Sequence, residues 1–349
     1  MDHPMTPTTA PPQRVLIIKP SSIGDIVHAL PALARIRKLW PDAKMSWLVT
    51  PSNASLVEHH PMIDEVILFN RNRWGHVWRS PTAMANLIRF FQNLRRRRFD
   101  IVIDFQGLLR SAWIALVSGA PRRVGFSNAR EGAVHFYTEL VDCSWELDHA
   151  VERYLKIASA LGCPRGPVEF PLAISDSDRE FVAALVPPGI PFAAILPGTN
   201  WPTKRWPVEK FAALVQPLRD RFGLETVVLG GPADADLTRR VPARFDLTGK
   251  LNLRQIAALL ERASLVVAND TGPMHLAAAL GRPLVTPYGP TSPLRTGPFG
   301  RMDSVIRLDL PCSPCFSRSC NHRSCLQWLE IEPVLKLAQR QMAQYPLAS

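Results

Sequence analysis

No run of apolar residues in this chain reaches the ~18 to 20 needed to cross a bilayer. The opening MDHPMTPTTAPPQ has no basic segment followed by an apolar core. Neither an anchor nor a secretory signal is visible, and the cytoplasm is the expected compartment. A Walker loop, G-x-x-x-x-G-K-[ST], is missing, and no G-x-G-x-x-G follows the first apolar run. Both absences weigh against an ATPase and an ordinary dehydrogenase. Six cysteines in 349 residues are few, and in a reducing compartment they argue against a disulfide framework. Acidic residues are also in deficit, 30 against 41 Lys and Arg, for a formal charge of +11. That surplus favours an anionic partner: nucleic acid, a phosphorylated small molecule or an acidic membrane surface.

What is present belongs to a folded protein, with 46% hydrophobic and 20% charged residues. The length suits two domains of ~150 to 200 residues. Residues 1–13 read as a flexible lead. RVLIIK, a Ser/Gly turn, IVHALPALARIRKLWP and MSWLV then read as strand, helix, strand, the unit of a parallel sheet, and VILF and FDIVIDF repeat the theme. DHAVERYLKIASALG reads as a helix closed by Gly, and the Pro-rich CPRGPVEFPLAISDSD as a linker. A second alternation runs from FAAILPG to PLVTPYG. The expected division is 14–175 and 176–349, with the C-terminal helix a candidate to pack back on the first domain. Two such domains place strand ends around one crevice, where open α/β sheets bind ligands.

Three strand-end segments carry the chemistry. In KPSSIGDIVHALP, Ser22 and Gly24 make a turn and Asp25 enters the first turn of a helix. Asp25 reads either as a helix-capping carboxylate or as a base at the crevice. In LPGTNWPTKRWP, Thr199, Thr203 and Lys204 offer hydroxyls and a cation suited to a diphosphate; a plain surface loop is the alternative. In VVANDTGPMHLAAALG, Asp270, Thr271 and Gly272 lead into a helix with His275 in its first turn. Free amides there suit phosphate, and Asp270 suits sugar hydroxyls. The run RRRR at 95–98 reads as a solvated helix end or as a site for an anionic acceptor or lipid headgroups.

These segments, with RWGHVWRS, DFQGLLRSA and DHAVERYLKIASALG in the same order, resemble glycosyltransferase family 9, the ADP-heptose:lipopolysaccharide heptosyltransferases of type I or II, from about Arg14 to Leu326. The resemblance implies an α/β fold of the GT-B kind, two Rossmann-like domains facing a central cleft. It implies an inverting glycosyltransferase that moves heptose from ADP-heptose to Kdo or the first heptose of the lipid A-linked inner core, with Asp25 as general base. Donor contacts would come from Ser22, Gly24, Thr199, Thr203, Lys204, Asp234, Asp270, Thr271, Gly272 and His275. Acceptor contacts would come from Arg71, Arg73, Gln106, Arg110 and Arg130. No cofactor or catalytic metal is expected, and Lys204 with the helix-start amides would stabilise the departing ADP. A lipid-linked acceptor and the positive charge suggest peripheral contact with the cytoplasmic face of the inner membrane.

Cys312, Cys315, Cys320 and Cys325, with His322 among them, read as zinc candidates or as free, redox-sensitive thiols. Type I or type II transfer is left open: RWGHVWRS and DHAVER lean to the first heptose, the cysteines to a later one. Two alternatives stand beside the enzyme. One is a non-catalytic basic protein that holds nucleic acid or anionic lipid; the interleaved aromatics of single-strand binders are missing, so nucleic acid is not the expected partner. The other is a relative that uses a different nucleotide-sugar.

Overall fold

The computed structural model describes residues 10–70 and 80–346. Most of the expected flexible lead, and Arg71 and Arg73, lie outside the described residues. Contacts divide the chain into two units. The first comprises residues 1–21, 29–144 and 151–173; the second comprises residues 22–28, 145–150 and 174–349.

The first unit holds a parallel sheet of β1 (Arg14–Ile18), β2 (Lys44–Val49), β3 (Glu65–Leu68), β4 (Ile101–Asp104), β5 (Arg122–Phe126) and β6 (Glu139–Val141). The strand order is β3-β2-β1-β4-β5-β6. RVLII and IVID are apolar almost throughout because the central strands of a parallel sheet are covered on both faces. Their register puts Ile18 opposite Asp104, so the loops leaving these two strands emerge side by side at the reversal of strand order. Helices α1 (Ile23–Leu39), whose start through His28 belongs to the second unit, α2 (Pro81–Arg96), α3 (Leu109–Val117) and α4 (Ala150–Ala160), all but its first residue in the first unit, alternate with the strands or succeed them. Leu16, Ile18, Leu48, Ile67, Leu94 and Ile114 are among the residues that close one core.

The second unit repeats the plan with β7 (Phe192–Leu196), β8 (Glu225–Val228), β9 (Phe245–Asp246), β10 (Leu265–Ala268), β11 (Leu284–Pro287) and β12 (Val305–Ile306), in the order β12-β11-β10-β7-β8-β9. Read from β9, this is the order of the first sheet. Its helices include α5 (Asp176–Leu185), α6 (Val208–Phe222), α7 (Ala235–Thr238), α8 (Leu253–Glu261) and α9 (Gly272–Ala279). The C-terminal helix Ile331–Gln344 buries Val334, Leu335, Leu337 and Ala338 in this unit's core. Strand order reverses between β7 and β10, and Ala268 lies opposite Leu196. Ligands of open α/β sheets bind beyond such a reversal.

Candidate active site

In the second unit, the loops that leave β7 and β10 are tied together. Asn269, fully buried, donates through Nδ2 to the Pro197 carbonyl at 2.8 Å and accepts the Trp206 amide at 3.0 Å. Thr199 donates its hydroxyl to the Asp270 carbonyl at 3.0 Å, and the Arg205 guanidinium clamps the Thr199 carbonyl at 2.9 and 3.1 Å. The pairing is completed by charge. Lys204 Nζ lies 2.7 Å from Asp270 Oδ2, which also accepts the Thr291 hydroxyl at 2.7 Å. Lys204 stands 4.7 Å above the Trp201 ring, so its stem is packed and its ammonium aimed.

Asp270 is only 6% exposed. Its Oδ2 is held by Lys204 and Thr291. Thr203 is buried, and its hydroxyl donates to the Ser317 carbonyl at 2.9 Å. Asp234 accepts the Gly231 amide at 2.9 Å, and its carboxyl group lies 2.6 Å from where a Cβ on Gly198 would stand. Only glycine at 198 admits that approach. Asp234 and Asp236 are two residues apart in the sequence. Asp236 turns to Arg239 at 3.4 Å, so the two carboxylates have separate partners.

Thr271 is the extended residue before α9, and Gly272 and Pro273 form the first turn. Against this turn packs the start of α1. A Cβ on Gly24 would fall 2.5 Å from the His275 ring, and one on Gly272 would fall 2.5 Å from Ile23. Two helix starts meet here glycine to neighbour, and the half-buried Asp25 sits in the first turn of one of them. Asp25 Oδ2 accepts the Ser22 amide at 3.1 Å and the Ser22 hydroxyl at 2.7 Å. The capping geometry is therefore real, and it fixes a carboxylate beside the α9 start.

His275 is buried, and burial lowers its pKa to about 4, against the opposing pull of the Asp270 and Asp25 charges. Its imidazole is neutral at pH 7. Its Nδ1 lies 3.0 Å from His28 Nε2, and His149 stacks edge-on to His28 while donating through Nε2 to the Gly297 carbonyl at 3.1 Å. Sequence reading missed His28, His149 and Thr291. A lone histidine on an apolar helix face carries no signal, because its partner lies 247 residues away.

In the first unit, Lys19 comes directly after β1 and Gln106 just beyond β4. Lys19 Nζ donates to Gln106 Oε1 at 3.3 Å and lies over the Tyr154 ring. The turn is held by Asp104, fully buried, which accepts the Gln106 and Gly107 amides at 2.8 and 3.2 Å and the Tyr137 hydroxyl at 2.7 Å. Burial raises the Asp104 pKa against those donors. Arg110 is exposed in the first turn of α3, and the Arg130 amide donates to the Gly107 carbonyl at 3.0 Å. Gln106, Arg110 and Arg130 thus come from one strand end and the loops beside it.

The cysteines are all free. Among the described residues no group of three or more His, Cys, Asp or Glu side chains is arranged to hold a metal, and Cys312, Cys315, Cys320 and Cys325 are within that set. Burial, then the other three cysteines, raises the Cys325 thiol pKa. The cysteine-rich loop instead braces the β7 loop, through the Thr203 bond and through Arg318, 4.6 Å over the Trp201 ring.

Residues 87–325 match the model of glycosyltransferase family 9 (heptosyltransferase). Lipopolysaccharide heptosyltransferase 1 of Pseudomonas aeruginosa is 35% identical over 320 residues, covering 89% of this chain and 88% of that protein. Lipopolysaccharide heptosyltransferase 2 of Escherichia coli is 27% identical over 315 residues, covering 84% and 88%. The solved structure of E. coli heptosyltransferase WaaC with ADP-2-deoxy-2-fluoro heptose superimposes with a TM-score of 0.76 at 30% identity, covering 94% of this chain and 99% of that one. The paired parallel sheets are those of the GT-B class, and the chain belongs to glycosyltransferase family 9, the heptosyltransferases.

Proposed function

We propose that this protein transfers heptose from ADP-heptose to the inner core of lipopolysaccharide, at the first of the heptose additions, with Asp25 as general base. The observation that carries the reading is the packing of the Gly24–Asp25 turn on the Gly272–His275 turn. It sets a carboxylate beside a helix start suited to a diphosphate. The greater identity to a heptosyltransferase 1 than to a heptosyltransferase 2 supports the first addition. A relative solved with a fluorinated ADP-heptose supports the donor.

In this mechanism the acceptor hydroxyl attacks the anomeric carbon from the face opposite ADP. The new C–O bond forms as the bond to the β-phosphate oxygen breaks, which inverts the centre, and the hydroxyl proton passes to the Asp25 carboxylate. Such a base contributes ~100- to 10,000-fold. Negative charge gathers on the departing ADP, where Lys204 and the amides at Thr271 and Gly272 stabilise it. Asp270 aims Lys204, Thr199 lines the same loop, Ser22 and Gly24 shape the base's turn, and Asp234 serves the ribose hydroxyls. Gln106, Arg110 and Arg130, together with Arg71 and Arg73, meet the anionic groups of the acceptor. The acceptor is lipid-linked, so the enzyme works at the cytoplasmic face of the inner membrane.

The test is mass spectrometry of protein incubated with ADP-heptose and, separately, Kdo-bearing lipid A and its mono-heptosylated form. One added heptose on the first acceptor is expected, and Asp25→Asn should lower that rate at least ~100-fold while ADP is still bound. Undiminished transfer by Asp25→Asn would remove the base assignment. Transfer only to the second acceptor would move the enzyme to a later step.

A further inference from the structure

The first unit carries a surface that borders the acceptor residues Gln106, Arg110 and Arg130 and extends beyond them. Between Pro81 and Phe99, and again between Phe105 and Arg130, the chain contains arginines and no Asp or Glu. The first stretch forms α2, of whose residues only Leu94 is fully buried. The second contains α3, whose outward positions Leu109, Trp113 and Leu116 recur at i, i+4 and i+7 and are 43%, 49% and 39% exposed. Ile88 of α2 adds another half-exposed apolar side chain. A large indole on an outer helix face, not covered by its edge contact with Phe136 at 6.2 Å, is an unusual surface for a core-forming helix to present.

Beside the C-terminal end of α3 opens a cleft of ≈ 690 Å³ lined by Arg95, Arg96, Arg98, Asp100, Ser118 and Gly119, among others. The Arg95 side chain lies along Gly119, 3.6 Å from where a Cβ would stand. Of the four consecutive arginines, Arg97 is spent on Glu65 at 2.6 Å. Among the described residues, no carboxylate pairs with Arg95, Arg96 or Arg98. Complementing a helix dipole asks for one or two cations in the last turn. The cleft's Asp100 accepts the Gln13 and Arg14 amides at 2.8 Å, and Glu131 accepts the Leu109 amide at 3.2 Å. The helix dipole does not explain three arginines without a carboxylate partner among the described residues beside an exposed Trp and Leu.

We propose that the α2–α3 face of the first unit is a docking surface for an anionic phospholipid bilayer. Arg95, Arg96 and Arg98 take the headgroup phosphates, and Trp113, Leu116 and Ile88 enter the interfacial layer. Basic side chains beside apolar and Trp residues are the chemistry of interfacial attachment. Neither signal suffices alone, and here the two adjoin. Arg110, in the first turn of α3, continues the face toward the strand end where Gln106 and Arg130 lie. The inference rests on the transferase reading only for why a membrane is the partner.

The experiment is co-sedimentation with vesicles of pure phosphatidylcholine and of phosphatidylcholine with about one third phosphatidylglycerol, without donor or acceptor. The wild type should bind the anionic vesicles and not the neutral ones. Arg95→Gln/Arg96→Gln/Arg98→Gln should weaken that binding on the order of 100-fold, since each basic residue near the surface contributes a factor of about five. Trp113→Ala should weaken it further, and added salt should abolish it. ADP binding, measured on the same variants by calorimetry, should be unchanged and certifies the fold. Equal binding by the triple variant, equal binding to neutral vesicles, or tighter capture by single-stranded RNA that displaces the vesicles would each overturn the proposal. Loss of heptose transfer with intact vesicle binding would count against the transferase reading alone.

Discussion

Lys204→Ala tests the charge pairing between the loops that follow β7 and β10. The side chains of Lys204 and Asp270 are 17% and 7% exposed, and their charged atoms are 2.7 Å apart. Truncating one partner of a buried pair costs about 3–5 kcal/mol, because the other charge is left uncompensated. Thr291 still donates to Asp270 Oδ2, so the low end applies. A loss of ~3 kcal/mol lowers the melting temperature of a unit this size by about 6–12 °C. Differential scanning calorimetry should show the shift in the transition of the second unit. Asp270→Asn in the same chain removes the stranded charge and should restore part of the loss, a coupling of about 1–3 kcal/mol. ADP affinity should not return with it. A charged hydrogen bond to the diphosphate is worth about 1.5–3 kcal/mol, so ADP should bind about 10- to 100-fold more weakly in both variants. Strictly additive stability effects would refute the pairing argument. Restored ADP affinity in the double variant would refute the direct contact between Lys204 and diphosphate.

The packed helix starts lead to two further outcomes. Burial lowers the His275 pKa from 6.5 to about 4, so the unfolded chain takes up the proton first. Its contribution is full above pH 6.5 and is lost as pH falls toward 4, by up to about 3 kcal/mol. His275→Gln should flatten that part of the urea-denaturation profile, and an unchanged slope would show that the titration lies elsewhere. Gly24→Ala places a Cβ 2.5 Å from the His275 ring. Overpacking of about 1–3 kcal/mol should outweigh the ~1 kcal/mol Ala gains over Gly within a helix. A lower melting temperature and weaker ADP binding are expected, whereas a higher melting temperature would mean the ring yields freely.

Much of the fold was legible because its signals are local. RVLII, IVID and LVVA are short apolar runs bounded by turns, and they became β1, β4 and β10. NLRQIAALLERA carries its own cap, and Asn252 does accept the Gln255 amide at the start of α8. Ser22 and Asp25 likewise announced a helix start three residues apart. Repetition of strand and helix was enough to expect two parallel sheets, and the quoted motifs were enough to place the chain in its family.

What the tertiary structure alone decided is which groups meet. Asp270 is a strand-end carboxylate in the sequence; only the approach of β7 to β10 turns it onto Lys204 and leaves Thr203 facing Ser317. His28 and His275 are ordinary residues of two helices until the packing of Gly24 and Gly272 brings His28 Nε2 to 3.0 Å from His275 Nδ1. Arg95 to Arg98 read as one basic run, yet Glu65, on a strand 32 residues earlier, takes Arg97 and leaves the other three without a carboxylate among the described residues. Backbone preference and periodicity act over a few residues and are written in the chain's order. Charge pairing, burial and close approach act over ångströms of space, and the chain's order does not contain those distances.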